Sequence, residues 1–338
     1  MIDALTDSQR SRKIYDRLNI LHESTNVHIT QLRTTPIQPS PTSPVIDVIS
    51  GPGERSVVLL GEILHESWCS HEAGLRIVNR RKMSSILLPT CPTTAGFLER
   101  DLVVVGTVGG EVIVVSGDDI LSTAKFFSAP VSSLYIPSTG RLVVASIDGH
   151  IKLCSLKGVE LLEVKSMDVR VLDLPRSIRS SRSGDNSSTR IGIVSVSGDE
   201  REFCIASETG GLWLSTLSTL SLQPLQAHPQ PLATVIYRNP HIIVLGDDDH
   251  VHIVTAAGEL LDSLPDKAKK VIIIRELLVA LAATAAIPTL TFYDLDKRRL
   301  LSQVETATPL VSIASSGRDG LLGIGEDGQL IEYGLTRA

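Results

Sequence analysis

Apolar residues along the chain gather in runs of about five, each followed by a tight Gly/Asp turn and a second short run that alternates apolar and polar positions. This period belongs to strands, not to helices. The clearest copy runs Leu142-Val143-Val144-Ala145-Ser146, turns through Ile147-Asp148-Gly149, and returns along His150-Ile151-Lys152-Leu153-Cys154. An Asp-Gly pair supplies the positive-φ positions that a two-strand hairpin needs. Four more copies read the same way: Leu102 to Gly106 into Val112 to Val115, Phe203 to Ser207 into Leu212 to Leu214, Ile242 to Gly246 into Val251 to Val254, and Leu321 to Gly325 into Leu330 to Tyr333. Two are degenerate. Leu277 to Leu281 reaches Leu290 to Tyr293 across an Ala-rich turn, and Val57 to Gly61 reaches Leu75 to Val78 across a long loop. Marked at the turn-glycine position (Ala73, Gly110, Gly149, Gly210, Asp249, Pro288 and Gly328), the copies are spaced by 37, 39, 61, 39, 39 and 40 residues. The one long interval contains an insertion.

Seven copies of short strands at a period near 40, with no helical periodicity between them, predict an all-β chain folded as a seven-bladed β-propeller. A four-stranded blade is too small to bury its own faces and has to stack on its neighbours. Central strands packed on both faces explain unbroken runs such as Leu102-Val103-Val104-Val105. The expected organisation is residues 1–44 as an N-terminal helix, closing strand and Pro-rich linker, then a propeller over 45–338 with a mobile insertion near 172–190. The last copy ends at Tyr333, so closure is expected from an N-terminal strand added to the last blade, which removes an exposed edge. Asn26 to Leu32 alternates suitably for that strand, the linker Pro36 to Pro44 reads as extended, and Val45 to Ile49 reads as the first inner strand. Ahead of these, Thr6 or Asp7 is placed to cap a short helix through Leu21 that carries Arg10, Arg12, Lys13 and Arg17.

At these residues the chain resembles the WD40 family. Ser146-Ile147-Asp148-Gly149-His150-Ile151-Lys152-Leu153-Cys154-Ser155 follows the family's S-x-D-G-T-I-K-I-W-D, with Cys154 in place of Trp. Tyr293-Asp294 stands where the Trp-Asp dipeptide falls, and Ala227-His228 is similar to the Gly-His pair. The resemblance implies a hydrogen bond between His228 and Asp248, with both residues architectural. It also implies partners that are proteins or peptides.

Charge changes the picture only by exclusion. Lys+Arg 32 against Asp+Glu 38 gives a net charge of -6, the wrong sign for a protein that coats DNA. With 4% aromatics, aliphatic side chains must fill the core. No apolar leader follows Met1, and the most apolar stretch, Val271 to Pro288, is broken by Arg275 and Glu276, so neither secretion nor membrane insertion is expected. Cys69, Cys91, Cys154 and Cys204 are scattered without a Cys-x-x-Cys pair and read as reduced thiols of an intracellular protein, in cytoplasm or nucleus.

Candidate chemistry is sparse. His65, Cys69 and His71, near Glu66 and Glu72, supply three donors of types zinc accepts, but no second cluster completes them, and an elongated surface loop is the expected reading. Asp247-Asp248-Asp249-His250 and His252 read as a structural turn. Turn roles are likewise assigned to Asp148, Gly149, Asp327 and Gly328. The insertion carries Arg176, Arg179, Arg182 and Arg190 among serines, a possible phosphate-contacting or phosphorylated interaction loop, while Arg10, Lys13 and Arg17 mark a possible interaction helix. No phosphate-cradling loop or Gly-x-Ser-x-Gly occurs, so no catalytic, cofactor or metal residue is expected. The expected function is a non-enzymatic interaction scaffold or adaptor in a multi-subunit complex. One rival is an RNA- or ribosome-associated propeller that uses the arginine loop, weakened by the lack of interleaved aromatics. Another is a propeller enzyme with a central-channel site, for which His150, Asp248 and Glu326 fall by register in turns away from the axis.

Overall fold

Each unbroken apolar run becomes the second strand of a four-stranded antiparallel sheet, and there are seven such sheets. The computed structural model describes residues 27–37, 42–62, 69, 72–80, 82–99, 101–137, 140–169, 192–225, 228–283, 288–317 and 319–337. Blade one is β2 (Val45–Gly51), β3 (Arg55–Leu60), β4 (Gly74–Asn79) and β5 (Lys82–Leu87). Blade two is β6 (Pro92–Phe97), β7 (Val103–Thr107), β8 (Glu111–Ser116) and β9 (Asp119–Lys125). Blade three is β10 (Val131–Tyr135), β11 (Arg141–Ser146), β12 (His150–Lys157) and β13 (Glu160–Asp168). Blade four is β14 (Ile193–Gly198), β15 (Glu202–Ser207), β16 (Leu212–Thr216) and β17 (Gln223–Pro224). Blade five is β18 (Leu232–Arg238), β19 (His241–Gly246), β20 (Val251–Thr255) and β21 (Leu260–Ser263). Blade six is β22 (Ala268–Ile274), β23 (Leu277–Ala282), β24 (Thr289–Asp294) and β25 (Arg299–Glu305). Blade seven is β26 (Leu310–Ser316), β27 (Gly320–Gly325) and β28 (Gln329–Arg337), completed by β1 (Val27–Pro36).

The circle closes through neighbouring first strands. β2 touches both β6 and β26, β10 touches β6 and β14, β14 touches β18, β22 touches β26, and blade five meets blade six through β19 and β22. The closing strand forms as the alternation predicts, antiparallel to β28 from Val27 opposite Arg337 to Pro36 opposite Gln329. It runs four residues further than the expected end at Leu32, because pairing with β28 satisfies its backbone beyond the alternating stretch. The helix expected between Thr6 and Leu21 lies outside the described residues.

The seven hydrophobic clusters each belong to a seam between two blades, not to a blade. On β7, Val103 and Val105 pack with blade one while Val104 packs with blade three. On β23, Val279 and Leu281 face blade seven while Leu278 and Ala280 face blade five. A strand whose alternate side chains enter two different cores has no polar face to show, which is why the runs do not alternate.

The sequence markers turn out to be one recurring hydrogen bond. The carbonyls of Ala73, Gly110, Gly149, Gly210, Asp249, Pro288 and Gly328 accept backbone N–H bonds from Leu88, Phe127, Val169, His228, Ala268, Thr306 and Ile37, at 2.8 to 3.2 Å. Each bond ties the turn between the second and third strands to the link into the next blade. The last of them anchors the segment that follows the closing strand. Gly210 needs its lack of a side chain twice over: its φ is +88°, and a Cβ there would run into the His228 carbonyl oxygen.

Each first strand also bulges at the same place. The bulge separates a buried residue from a polar one: Val45 from Asp47, Pro92 from Thr94, Val131 from Ser133, Ile193 from Ser195, Leu232 from Thr234, Ala268 from Lys270, and Leu310 from Ser312. These polar residues stitch neighbouring blades. Ser133 Oγ accepts from Val196 N at 2.9 Å, and Ser195 Oγ donates to Val235 O at 3.3 Å. Lys270 reaches across blade seven to pair with Asp47, and also donates to Ser312 Oγ at 2.8 Å, while Ser312 donates to Asp47.

Candidate binding groove between blades four and five

The ring departs most from its own symmetry where blade four meets blade five. The outer strands on either side are the shortest in the ring, two residues in β17 and four in β21, against nine in β13. Pro224 has no N–H to extend β17. Between them lies a groove of about 510 Å³, lined by Leu212, Pro229, Val254 and Leu260 together with His228, Asp248, His250 and His252.

The recurring turn-to-link bond places His228. Its N–H donates to Gly210 O at 2.8 Å, the bond that seats Leu88, Phe127 or Val169 elsewhere in the ring. The His228 ring lies 4.9 Å from that of His252, which in turn is 6.4 Å from His250. Strand geometry accounts for the second pair, since residues two apart share a face of β20 and its lead-in. Each Nδ1 has a local neighbour: Gln230 N donates to His228 at 3.2 Å, Ser263 Oγ is 2.7 Å from His252, and Asp248 Oδ2 is 3.2 Å from His250. Burial, reinforced by the neighbouring His228, holds the His252 imidazole below its ordinary pKa. Burial pushes the Asp248 carboxyl up, but the backbone N–H and imidazole of His250 outweigh it and hold the group low. The arrangement offers imidazole donors and acceptors above an apolar floor, which is the chemistry of a recognition site.

The expected hydrogen bond between His228 and Asp248 is not formed. His228 turns to Gln230 and His252, while Asp248 accepts from His250 N at 3.2 Å and so closes its own turn. The physical reason is reach: an Asp two residues before a backbone N–H caps that N–H locally, leaving its carboxylate committed.

The other turn residues sit in turns. Asp148 accepts from Ser146 and lies 3.0 Å from His150 Nδ1, with Gly149 at φ +93°. Asp327 accepts from Gln329 N at 3.0 Å, with Gly328 at φ +75°. Arg10, Lys13, Arg17, Arg176, Arg179, Arg182 and Arg190 lie outside the described residues, as do His65, Glu66 and His71. Among the described residues no group of three or more His, Cys, Asp or Glu is arranged to hold a metal. Convergence of His228 with His250 and His252 was not legible in the sequence. The one trace of it there is a histidine at a linker position that is apolar in five of the other six copies, Thr306 being the exception.

The inner strands do bring an acid and a base together, Asp47 and Lys270, but they neutralise each other, and Ser312 between them is 2% exposed. No helix among the described residues is long and apolar enough to cross a membrane.

No family model matches the chain, and no curated protein is similar to it in sequence. Solved structures similar in fold include the computationally designed Ika8 protein, at a TM-score of 0.60 and 12% identity over 89% of this chain and 98% of that one. That likeness shows the fold alone. The class the structure defines is a seven-bladed β-propeller.

Proposed function

We propose that this protein is a non-enzymatic interaction scaffold of WD40 type, an adaptor that binds a short segment of a protein partner in the groove between blades four and five. The observation that carries the reading is the groove itself, an apolar floor with three imidazoles, one of them at the single described linker position that carries a histidine. Propellers present loops and rims from a rigid ring, a geometry suited to recognition. The turn residues Asp148-Gly149 and Asp327-Gly328 support the WD40 kinship. Membership of a multi-subunit complex is supported by exposed apolar residues on the outer strands of several blades, among them Leu32, Leu87, Val164 and Leu260. Four free thiols fit a reducing compartment, cytoplasm or nucleus.

Filling the groove tests this. Affinity purification with wild-type protein and with His228→Phe, which restores the ring found at Phe127, is compared with Lys152→Ala as a control in blade three. The reading expects partners retained by wild type and by the control but lost with His228→Phe. Identical partner sets for all three would reject it.

A further inference from the structure

Three imidazoles and one carboxylate share the groove between blades four and five, and two of those rings meet. His228 comes from the link into blade five and His252 from β20, and their centroids stand 4.9 Å apart with the planes tilted by 44°. His228 is buried and His252 half-buried, so little water separates them. Neutral imidazoles pack at that spacing, whereas two imidazolium ions there repel each other in a poorly screened place. The hydrogen bonding of His228 changes with its proton as well. Its Nδ1 lies 3.2 Å from both the amide nitrogen and the carbonyl oxygen of Gln230. Bare, that nitrogen accepts from the amide; protonated, it can only donate to the carbonyl.

The charges around the pair do not offset two protons. Asp248, in the turn before β20, is the one carboxylate among the described lining residues, and it is engaged by His250, whose backbone N–H it accepts and whose Nδ1 lies 3.2 Å away. Asp247 and Asp249 of the same turn stand outside the lining. From the link after β21, Lys267 adds an ammonium that donates to the Asp248 carbonyl at 3.0 Å. On β21 itself, Ser263 Oγ is 2.7 Å from His252 Nδ1, while Asp262 accepts from Tyr293 of blade six. On blade four, Glu208 accepts from Gly192 N at 3.1 Å, and β17 carries no charge. Burial and the neighbouring His228 already hold the His252 imidazole below its ordinary pKa, as a contact averse to charge requires. Resting on the reading of this groove as a recognition site, we propose that the His228–His252 pair is a proton-operated latch that regulates it. While both rings are neutral, the pair fixes the link at 228–230 against β20 and gives the groove its shape. In mildly acidic solution, protons from solvent charge both rings, the rings part, the link loosens and a bound partner is released.

The test reads the latch without any partner. Amide hydrogen exchange of the full chain is followed at about pH 7.5 and about pH 5.5, corrected for the intrinsic exchange rate, with histidine ring titrations by NMR alongside. In wild type, protection over 228–236 should fall about tenfold between the two conditions, while protection over 142–154 in blade three holds. His228→Phe, uncharged at either pH, and His252→Gln should each abolish the fall. His28→Gln, at an exposed position of β1, should keep it. The ring signals should show His252 titrating below 6.5, and moving up toward that value in His228→Phe. Protection over 228–236 that ignores pH, a fall that survives in His228→Phe and His252→Gln, or a fall shared equally by blade three would each overturn the latch. So would a partner captured at the higher pH that wild type still holds at the lower one. The two readings fail separately: identical partner sets in the affinity purification would reject the recognition site while the exchange result still supported the latch, whereas a pH-silent link overturns the latch whatever partners are captured.

Discussion

In blade three the ring of Phe127 occupies the linker position that His228 holds beside blade five, and Lys152, the counterpart of His252, stands 5.5 Å from its centroid while pairing with Glu163 at 2.7 Å. The nine-residue β13 then covers the outside. At blade five the same backbone bond seats an imidazole against another imidazole, and β21 covers only four residues. One frame is therefore filled and the other open. The difference lies in two side chains and the length of an outer strand, while the turns and hydrogen bonds that hold the frame are unchanged. Repetition supplies the scaffold, and individuality is written where a repeat is left unfilled.

Three measurements break or sharpen that contrast. Truncating the filled side should cost most: Phe127→Ala removes a ring that is 6% exposed and should destabilise the fold by about 3–5 kcal/mol, read from the denaturant midpoint. His228→Ala at the open side should cost roughly 1–2 kcal/mol, since it loses a hydrogen bond and one ring face instead of a packed core. Equal costs would mean that the groove is not open in solution.

Attacking the shared frame comes next. Gly210→Ala forces a side chain into a φ of +88° and against the His228 carbonyl, with an expected loss of about 1–3 kcal/mol. A neutral effect would show that the turn-to-link bond does not hold blade five's entry in place.

The smallest expected effect is a pH dependence confined to the open side. Because the folded protein holds His252 below its ordinary value of 6.5, the unfolded chain takes up that proton first as pH falls. Stability should therefore decline below about pH 6.5 and be regained above it. His252→Gln should flatten this part of the profile, and an unaltered slope in that variant would remove His252 from the explanation.

Much of the fold was legible in the chain. Marker positions spaced by 37 to 40 residues, save the one interval that holds the insertion, correspond to a physical bond, so the sequence period and the structural period are one quantity. The unbroken β7 and β23 runs betrayed strands buried on both sides. The third strand of each copy was also visible, as at His150 to Cys154. Apart from the closing strand β1, the outer strands were not, because they are half-exposed and mixed in composition: β17 is Gln223–Pro224 and carries no strand signal at all. The polar residue after each inner bulge was equally hidden: Thr94, Ser133, Ser195, Thr234 and Ser312 keep a near-constant distance from the turn marker but are of residue types too common on strands to stand out, while Asp47 and Lys270 break the spacing. The site was legible only in part. His250 and His252 were visible as a turn cluster, but their meeting with His228 was not, and the pair expected between His228 and Asp248 did not form.

By itself the amino-acid order determined the strand-forming runs, their turns and the number of repeats, because hydrophobic period and positive-φ glycines act over a few residues. Tertiary structure alone decided which linker was left unfilled and how Lys270 reached Asp47. Those are contacts between blades, set by how sheets stack around a circle, and no local pattern encodes the distance across a seam.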